Sequence, residues 1–163
     1  MKTKSITTTF TIYEKESELL QEDRQLLESA REAATRAYAR YSKFQVGAAI
    51  LLANGEIVTG NNQENAVYPA GLCAERTTAF YASSRFPGVP FKKIAISAIN
   101  PTEALTSPVV PCGSCRQVLS EYENRFNSPI KVILGAQSGD IWELASVADL
   151  LPLGFHAGFL PEK

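Results

Sequence analysis

The residues of this chain best suited to chemistry are its three cysteines. Cys112 and Cys115 form a C-x-x-C pair, and Cys73 stands two residues before Glu75. Three thiols cannot all pair with one another, and in a reducing compartment the C-x-x-C spacing is typical of metal or redox chemistry. Thiolates bind zinc, and a catalytic zinc site uses three protein ligands and leaves the fourth position for water. The cysteines are therefore the first place to look for function.

Other interpretations of these residues stay open. Free cysteines are often small buried hydrophobes, and C-x-x-C at a helix start is also the geometry of thioredoxin-like redox sites. Neither interpretation explains why Glu75 stands beside Cys73. The single histidine, His156, would close a zinc site as its fourth ligand, but it has no metal-ligand spacing to either cysteine group.

Two predicted helices must position the cysteines. The run CAERTTAFYASSRF predicts a helix whose first turn contains Cys73 and Glu75, and SCRQVLSEYENRF predicts another that begins near Ser114. The unpaired N–H groups and the macrodipole at a helix start lower the pKa of a thiol there. Both cysteine groups are therefore placed where thiolates form readily.

The remaining pattern predicts a mixed sheet with helices on its faces. Apolar alternation around Asn54-Gly55 predicts a hairpin over residues 44–60, with positive φ at both turn residues. The helical spacing of leucine and alanine predicts one long helix or two short ones over residues 16–41. Further strands are predicted at residues 5–13, 94–99, 130–134 and 141–144, and a last helical turn at residues 147–151.

Length and composition narrow the function classes. With 163 residues, 45% of them hydrophobic, the chain has room for one domain with a real core. A net charge of -1 lacks the basic surplus that drives binding to nucleic acid or anionic membranes, which favours a small ligand instead. Charged or polar residues interrupt every apolar run, and the N-terminal residues lack the apolar core of a secretory signal. We therefore expect no membrane span and a cytoplasmic location.

Five blocks in order resemble the small, homotetrameric zinc-dependent cytidine deaminases, over residues 26–155. They are ARYSKFQVGAA at 39–49, NQENA at 62–66, CAER at 73–76, PCGSCRQ at 111–117 and LLP at 150–152. The resemblance implies an α/β fold, a three-layer α/β/α sandwich around a mixed five-stranded sheet, here with an extra N-terminal strand. It also implies a single deaminase-type domain over residues 26–163, with residues 1–25 as an N-terminal extension, and a homotetramer.

The same resemblance implies the chemistry. Cys73, Cys112 and Cys115 would hold one Zn²⁺ per subunit, with Cys73 in the place of the histidine of the H-x-E signature. Zinc makes hydroxide available at neutral pH, and in the family hydroxide attacks C4 of the cytosine base while a glutamate, here Glu75, moves the protons. Cytidine and 2′-deoxycytidine would become uridine and 2′-deoxyuridine plus ammonia.

Substrate contacts follow from the resemblance as well. The ribose 3′-hydroxyl would be held by Asn62 and Glu64, for which ordinary loop polarity is the alternative. The ring of Phe44 would pack on the pyrimidine, and the N–H of Ala74 would bind its 2-carbonyl. The C=O of Val110 would face the leaving ammonia, and Phe155 would be the aromatic residue that a neighbouring subunit contributes. Phe44 has an alternative role too, as a plain core residue at a strand start.

Two arginines are candidates to offset negative charge at the metal. Three thiolates and one Zn²⁺ sum to a net charge of -1, which weakens the ion as a Lewis acid. Arg76 lies three residues after Cys73 on the same helical face, and Arg116 directly follows Cys115, so each is placed to donate to sulfur. In the family the arginine of the C-A-E-R run has this role. The alternative for both is a solvated surface position.

Two rival functions remain. One is a related zinc deaminase that acts on a nucleoside antibiotic such as blasticidin S, and the other is a non-catalytic zinc module, which would have little use for Glu75. The chain also departs from the family pattern. Arg40 replaces the usual proline, and Gly71-Leu72 precede Cys73 where some members have another cysteine. Neither departure touches the predicted catalytic set.

Overall fold

A computed structural model describes residues 1–161 of the chain. Within that part, three α-helices flank one sheet of six strands, and no helix is long and apolar enough to cross a membrane. The helices are α1 (Gln21–Thr35), α2 (Ala74–Arg85) and α3 (Gly113–Phe126). The strands are β1 (Thr11–Tyr13), β2 (Gln45–Leu52), β3 (Ile57–Asn61), β4 (Phe91–Ile99), β5 (Lys131–Gly135) and β6 (Ile141–Leu144).

The sheet is mixed, with the strand order β1-β6-β5-β4-β2-β3. β4 and β5 are parallel, and every other neighbouring pair in this sheet is antiparallel. α3 forms the crossover between β4 and β5, because a parallel pair cannot be joined by a tight turn. The mixed five-stranded sheet with an extra N-terminal strand is thus confirmed.

Alternate residues of β2 face two separate cores. Ala48 and Ile50 belong to the cluster that contains residues of α2 and α3, whereas Ala49 and Leu51 pack with α1. Successive side chains of a strand point to opposite faces of the sheet, so one strand contributes to both cores. The expected three-layer α/β/α sandwich is confirmed, and the two cysteine-bearing helices lie on the same face of the sheet.

α1 is held to the sheet by a close backbone approach and a buried ion cluster. A Cβ at Gly47 would lie 2.0 Å from the carbonyl oxygen of Ala30, so a larger residue would displace the helix. Asp23 is fully buried, 2.6 Å from Lys93 Nζ and 3.4 Å from Lys131 Nζ. Such pairing is needed because an unpaired buried charge is strongly destabilising. The domain division after residue 25 falls inside α1 and stays a prediction.

The N-terminal strand is shorter than the alternating sequence indicated. Only Thr11–Tyr13 of the predicted residues 5–13 form β1, because the partner strand β6 has just four residues. Before β1 the chain leaves the sheet edge, and the Thr8 hydroxyl donates to the carbonyl oxygen of Asp149 at 3.1 Å. Phe10 packs on Trp142, with ring centroids 5.1 Å apart. The prediction was wrong for residues 5–10 of this segment.

The predicted helix over residues 16–41 is also interrupted. A 3₁₀ turn at Glu16–Glu18 precedes α1, and α1 ends at Thr35. Beyond α1 the backbone pairs with a distant loop, since the Tyr38 N–H donates to Asn62 and the Tyr38 carbonyl accepts from Glu64. These tertiary hydrogen bonds outweigh the helical preference of residues 36–41. They also bring the loop around Asn62 and Glu64 beside the start of β2.

The hairpin between β2 and β3 forms, but its turn differs from the prediction. Gly55 has a φ of 88°, whereas Asn54 is not in the positive-φ region. The Gly55 N–H donates to the carbonyl of Leu52, and the Leu52 N–H donates to the carbonyl of Glu56. Ala53, Asn54 and Gly55 thus form a three-residue loop, in which one left-handed residue is sufficient.

Candidate active site

Each cysteine group lies at the first turn of a helix, as the sequence predicted. Cys73 is the N-cap of α2, with φ of -71° and ψ of 155°, and Cys112 is the N-cap of α3. Cys115 follows within the first turn of α3. Because the first N–H groups of a helix have no intrahelical acceptor, both helix starts direct partial positive charge toward the sulfurs.

The three sulfurs converge. The Cys73 Sγ lies 3.9 Å from the Cys112 Sγ, the Cys112 Sγ lies 3.5 Å from the Cys115 Sγ, and all three are within 4.8 Å of one another. Tetrahedral zinc with bonds of about 2.3 Å separates two sulfur ligands by about 3.8 Å. The chain therefore presents three soft donors at the spacing that zinc requires.

His156 does not join this group. In the described part of the chain, the cysteines are the one set of three histidine, cysteine or carboxylate residues close enough to hold a metal. The Nδ1 atom of His156 accepts from the Gly158 N–H at 3.2 Å, and its ring packs on Phe159 with centroids 4.4 Å apart. The interpretation of His156 as a fourth ligand is not supported, so the site offers three protein ligands.

A third sulfur beside the C-x-x-C pair argues against a thioredoxin-like site. The Cys73 Sγ lies 3.9 Å from the Cys112 Sγ, so the pair is one part of a three-sulfur cluster, whereas a redox pair needs two thiols only. Hydrogen bonding from the Cys115 thiol, and then from Arg76, lowers the pKa of Cys73 to about 5. The hydrogen bond to Cys73 and burial raise the pKa of Cys115.

Arg76 provides the positive charge nearest to the sulfurs. Its Nη2 atom lies 3.9 Å from the Cys73 Sγ, and this hydrogen bond raises the pKa of Arg76. Its Nε atom is buried, and among residues 1–161 it has no hydrogen-bond partner. The contact with sulfur and the buried Nε atom do not fit the alternative of a solvated surface arginine.

Arg116 differs from the expectation. Its Nε atom donates to the carbonyl oxygen of Pro111 and its Nη1 atom to that of Leu150, both at 2.8 Å. Within the described residues it makes no hydrogen bond to a cysteine sulfur. The expectation fails because the next helical position after Cys115 points about 100° away around the α3 axis, toward the chain that follows β6.

Glu75 is buried beside the cysteines, with 5% of its surface exposed. Burial raises the pKa of its carboxyl group, and the charge of Cys73 acts in the same direction. A hydrogen bond from its own backbone N–H and one from the Cys115 thiol oppose that rise. A carboxyl group in such surroundings holds a proton more readily than a solvated one, which suits an acid–base role.

A cleft of about 470 Å³ opens beside Cys73. The loop that precedes α2 and the turn that precedes β2 form its walls. Among its lining residues are Tyr41, Ser42, Asn62, Glu64, Tyr68, Cys73 and Arg76. Tyr41, Ser42 and Tyr68 were not singled out from the sequence, although they lie in or next to the matched blocks. Their place in the cleft depends on the fold that brings the two segments together.

Glu64 and Asn62 both lie in the wall of the cleft, and both have partners there. The carboxylate of Glu64 accepts from the Tyr41 N–H at 2.7 Å and from the N–H and hydroxyl of Ser42. The Ser42 hydroxyl and these N–H groups hold the pKa of Glu64 below its usual range. The Asn62 side chain accepts from the Val46 N–H and donates to the Phe44 carbonyl. Glu64 is therefore an ionised acceptor at the cleft.

The other predicted contact residues lie outside this cleft lining. Phe44 is half-buried just before β2, and Ala74 is fully buried at the first position of α2. Val110 is 42% exposed and stands two residues before Cys112. Phe155 is 55% exposed and stacks on Phe159, with centroids 5.7 Å apart.

Comparisons with known proteins agree on one family. A profile for the cytidine and deoxycytidylate deaminase zinc-binding region matches residues 20–127, which include both cysteine groups. The cytidine deaminase of Halalkalibacterium halodurans is 43% identical over 136 residues, which are 83% of this chain and 96% of that protein. The cytidine deaminase of Mycobacterium tuberculosis is 40% identical over 138 residues, or 83% of this chain and 90% of the relative.

Solved structures show the same similarity. The crystal structure of cytidine deaminase from Burkholderia pseudomallei superposes with a TM-score of 0.71 and 37% identity, over 84% of this chain and 100% of that one. The crystal structure of the Mycobacterium tuberculosis enzyme gives a TM-score of 0.63 and 33% identity, over 80% and 94% of the two chains. Fold and sequence therefore lead to the same relatives.

In metal-free protein, we expect Cys73 to react with iodoacetamide at a pH where ordinary thiols do not. A thiol ionises above its pKa, so with a pKa of about 5 Cys73 is a thiolate at pH 7. Arg76→Gln removes a cause of that low value and moves the reaction midpoint to higher pH, whereas Arg85→Gln at the far end of α2 leaves it unchanged. Mass spectrometry of the alkylated peptide measures both. A midpoint near pH 8.5 in the unmodified chain would contradict the arrangement.

Proposed function

This chain belongs to the cytidine and deoxycytidylate deaminase family, and on that premise we propose that it hydrolyses cytidine and 2′-deoxycytidine to uridine and 2′-deoxyuridine plus ammonia. The observation that carries the proposal is a buried carboxyl group, Glu75, beside three sulfurs spaced for zinc. A structural zinc module closes its site with four protein ligands and has no need of a buried acid next to the metal. An enzyme needs both features.

Cys73, Cys112 and Cys115 would hold one zinc ion per subunit. Zinc, when bound, lowers the pKa of water toward neutrality and so supplies a nucleophile at pH 7. The three residues fit the ion by donor type and by spacing. Arg76 contacts the Cys73 sulfur and offsets part of the negative charge of the three thiolates. A bound ion would therefore remain a stronger Lewis acid.

Glu75 is the proton carrier. It takes one proton from the attacking water and passes it to N3 of the base, as the glutamate of zinc deaminases does. It then takes the second proton from the hydroxyl group now on C4 and transfers it to the amino group as the C4–N bond breaks, which leaves the C4 carbonyl of uridine and releases ammonia. Its raised pKa suits this work, because a carboxyl group that titrates closer to the working pH exchanges protons in both directions. Its position in the first turn of α2 fixes it relative to Cys73.

Backbone groups and the cleft wall hold the substrate. Ala74 is the first residue of α2, so its N–H has no intrahelical acceptor and is free to bind the 2-carbonyl of the base. The carbonyl of Val110 faces the leaving ammonia, and the ring of Phe44 packs on the pyrimidine. Asn62 and Glu64 bind the 3′-hydroxyl of the sugar, with the ionised Glu64 as the acceptor.

The assembly we propose is a homotetramer in which Phe155 completes a neighbour's site. Phe155 is more than half exposed, and α2 carries two further exposed aromatic side chains, Phe80 and Tyr81. Contiguous exposed apolar side chains are typical of subunit contacts, and Phe80 and Tyr81 are adjacent on α2. Multi-angle light scattering should give four times the subunit mass, and a fully active monomer would contradict the proposal.

Replacing Glu75 by glutamine should abolish turnover and leave the metal in place. The amide cannot carry the proton, so cytidine deamination should fall by at least about 10²–10⁴-fold, while zinc content stays at one ion per subunit. Glu121→Gln, an exposed carboxylate on α3, serves as the matched control and should behave like the unmodified chain. Loss of absorbance at the cytidine band measures the rate. Near-normal activity of the Glu75→Gln protein would refute the mechanism.

Glu64→Ala should reduce discrimination for the sugar hydroxyl. Deoxycytidine carries the 3′-hydroxyl and dideoxycytidine lacks it, and a site built to bond a hydroxyl can reject the analogue by as much as ~10⁴-fold. The substitution should narrow the gap between the two kcat/KM values mainly by lowering that of deoxycytidine. If Glu64 only supports the turn at Tyr41 and Ser42, both substrates should lose activity equally, and that result would remove it from the sugar site.

A further inference from the structure

The two residues that follow Cys115 hold the chain near its C-terminal end. Arg116 donates from Nη1 to the carbonyl oxygen of Leu150 at 2.8 Å, and Gln117 donates from Nε2 to the carbonyl oxygen of Phe155 at 2.9 Å. We call these two side chains the clamp. The segment between their acceptors begins at the end of the 3₁₀ turn Val147–Leu150 and ends at the aromatic residue proposed to enter a neighbouring site.

Arg116 also contacts the chain directly before Cys112. Its Nε atom donates to the carbonyl oxygen of Pro111, the buried residue directly before Cys112. One planar guanidinium therefore bridges two carbonyl oxygens that lie far apart in the sequence. One belongs to Pro111, next to Cys112, and the other to Leu150, where the segment begins. A lysine ammonium at this position would keep the charge but lose the rigid fork that serves both acceptors.

The clamp acts on the chain from Leu150 onward and not on the start of the 3₁₀ turn. The start of the 3₁₀ turn is fixed separately by Glu123 of α3, which accepts from the Ser146 hydroxyl at 2.7 Å and the Val147 N–H at 2.9 Å. Phe155 and His156 both pack on Phe159, which makes residues 155–159 a small aromatic unit. Gln117 joins this unit to α3, so its loss should free the unit without unfolding the turn.

We infer that Arg116 and Gln117 are positioning residues that fix the position and orientation of Phe155 relative to α3, the helix at whose start Cys112 and Cys115 lie. The inference rests on the proposed function, in which Phe155 contributes to a neighbour's substrate site. The clamp and two of the metal ligands belong to one helix. The metal site of each subunit and the Phe155 that it contributes to a neighbouring subunit are therefore held in a fixed arrangement. Arg116 thus acts through backbone carbonyls and not through sulfur.

A double-mutant cycle tests whether Gln117 acts through Phe155. Gln117→Leu keeps the approximate volume and removes the donor, and one lost hydrogen bond should lower kcat/KM for cytidine by about 2- to 10-fold, through KM. In the Phe155→Ala background the same substitution should have almost no further effect, because the group it positions is gone. Equal losses in the two backgrounds, or no loss in either, would overturn the inference.

Arg116→Lys and Arg116→Met test whether Arg116 acts by bridging two carbonyl oxygens or by its positive charge. If it acts by bridging, both variants should raise the amide exchange rate of peptides within residues 151–161 and raise KM, with zinc content unchanged. Arg125→Met, an exposed arginine at the end of α3, is the matched control and should change neither quantity. Full recovery by lysine, or loss of zinc without faster exchange, would show that Arg116 acts by charge at the metal and would refute the clamp.

The exchange measurement keeps this inference separate from the proposed function. If the unmodified chain did not deaminate cytidine, the proposed function would fail, yet faster exchange in the Gln117→Leu and Arg116→Lys proteins would still establish the clamp. If cytidine were deaminated and the exchange rates of all variants matched that of the control, the clamp would be wrong and the function would stand.

Discussion

Three sulfur atoms that can each carry negative charge lie within 4.8 Å of one another, and the rest of the site is organised around that concentration of charge. Like charges at this separation repel strongly where water is scarce. Two helix starts, the Arg76 guanidinium and a divalent ion are the positive charges that make the arrangement stable. The sandwich meets this demand by packing α2 and α3 on the same face of the sheet, so that both first turns point to one place.

The same electrostatics explain the position of Glu75. A carboxyl group buried next to thiolates is harder to ionise, which is the direction in which both burial and Cys73 move its pKa. Arg76 acts in the opposite direction on the same group. The balance of these effects leaves an acid that can give and take protons while the cysteines serve as ligands. The ligand Cys73 and the proton carrier Glu75 thus have different roles although they lie only two residues apart at the start of one helix.

The sequence predicted the features that depend on local chemistry. The helix starts near Cys73 and Ser114 and the buried strands follow from short patterns, whereas the five matched blocks indicate the family and, with it, the three cysteine ligands. Features set by distant partners were not accessible. The length of β1 is limited by β6, and the end of α1 is set by hydrogen bonds to the loop at Asn62. One acceptor of Arg116, the Leu150 carbonyl, lies 34 residues further on. Only the folded chain brings these partners together.

Cytidine deamination by this chain requires one zinc ion on three cysteines. Zinc added stepwise to metal-free protein, with cytidine turnover recorded at each step, measures this requirement. Activity should rise in proportion to added zinc and stop rising at one ion per subunit. Full turnover before any zinc is added, or no turnover with one ion bound per subunit, would contradict it.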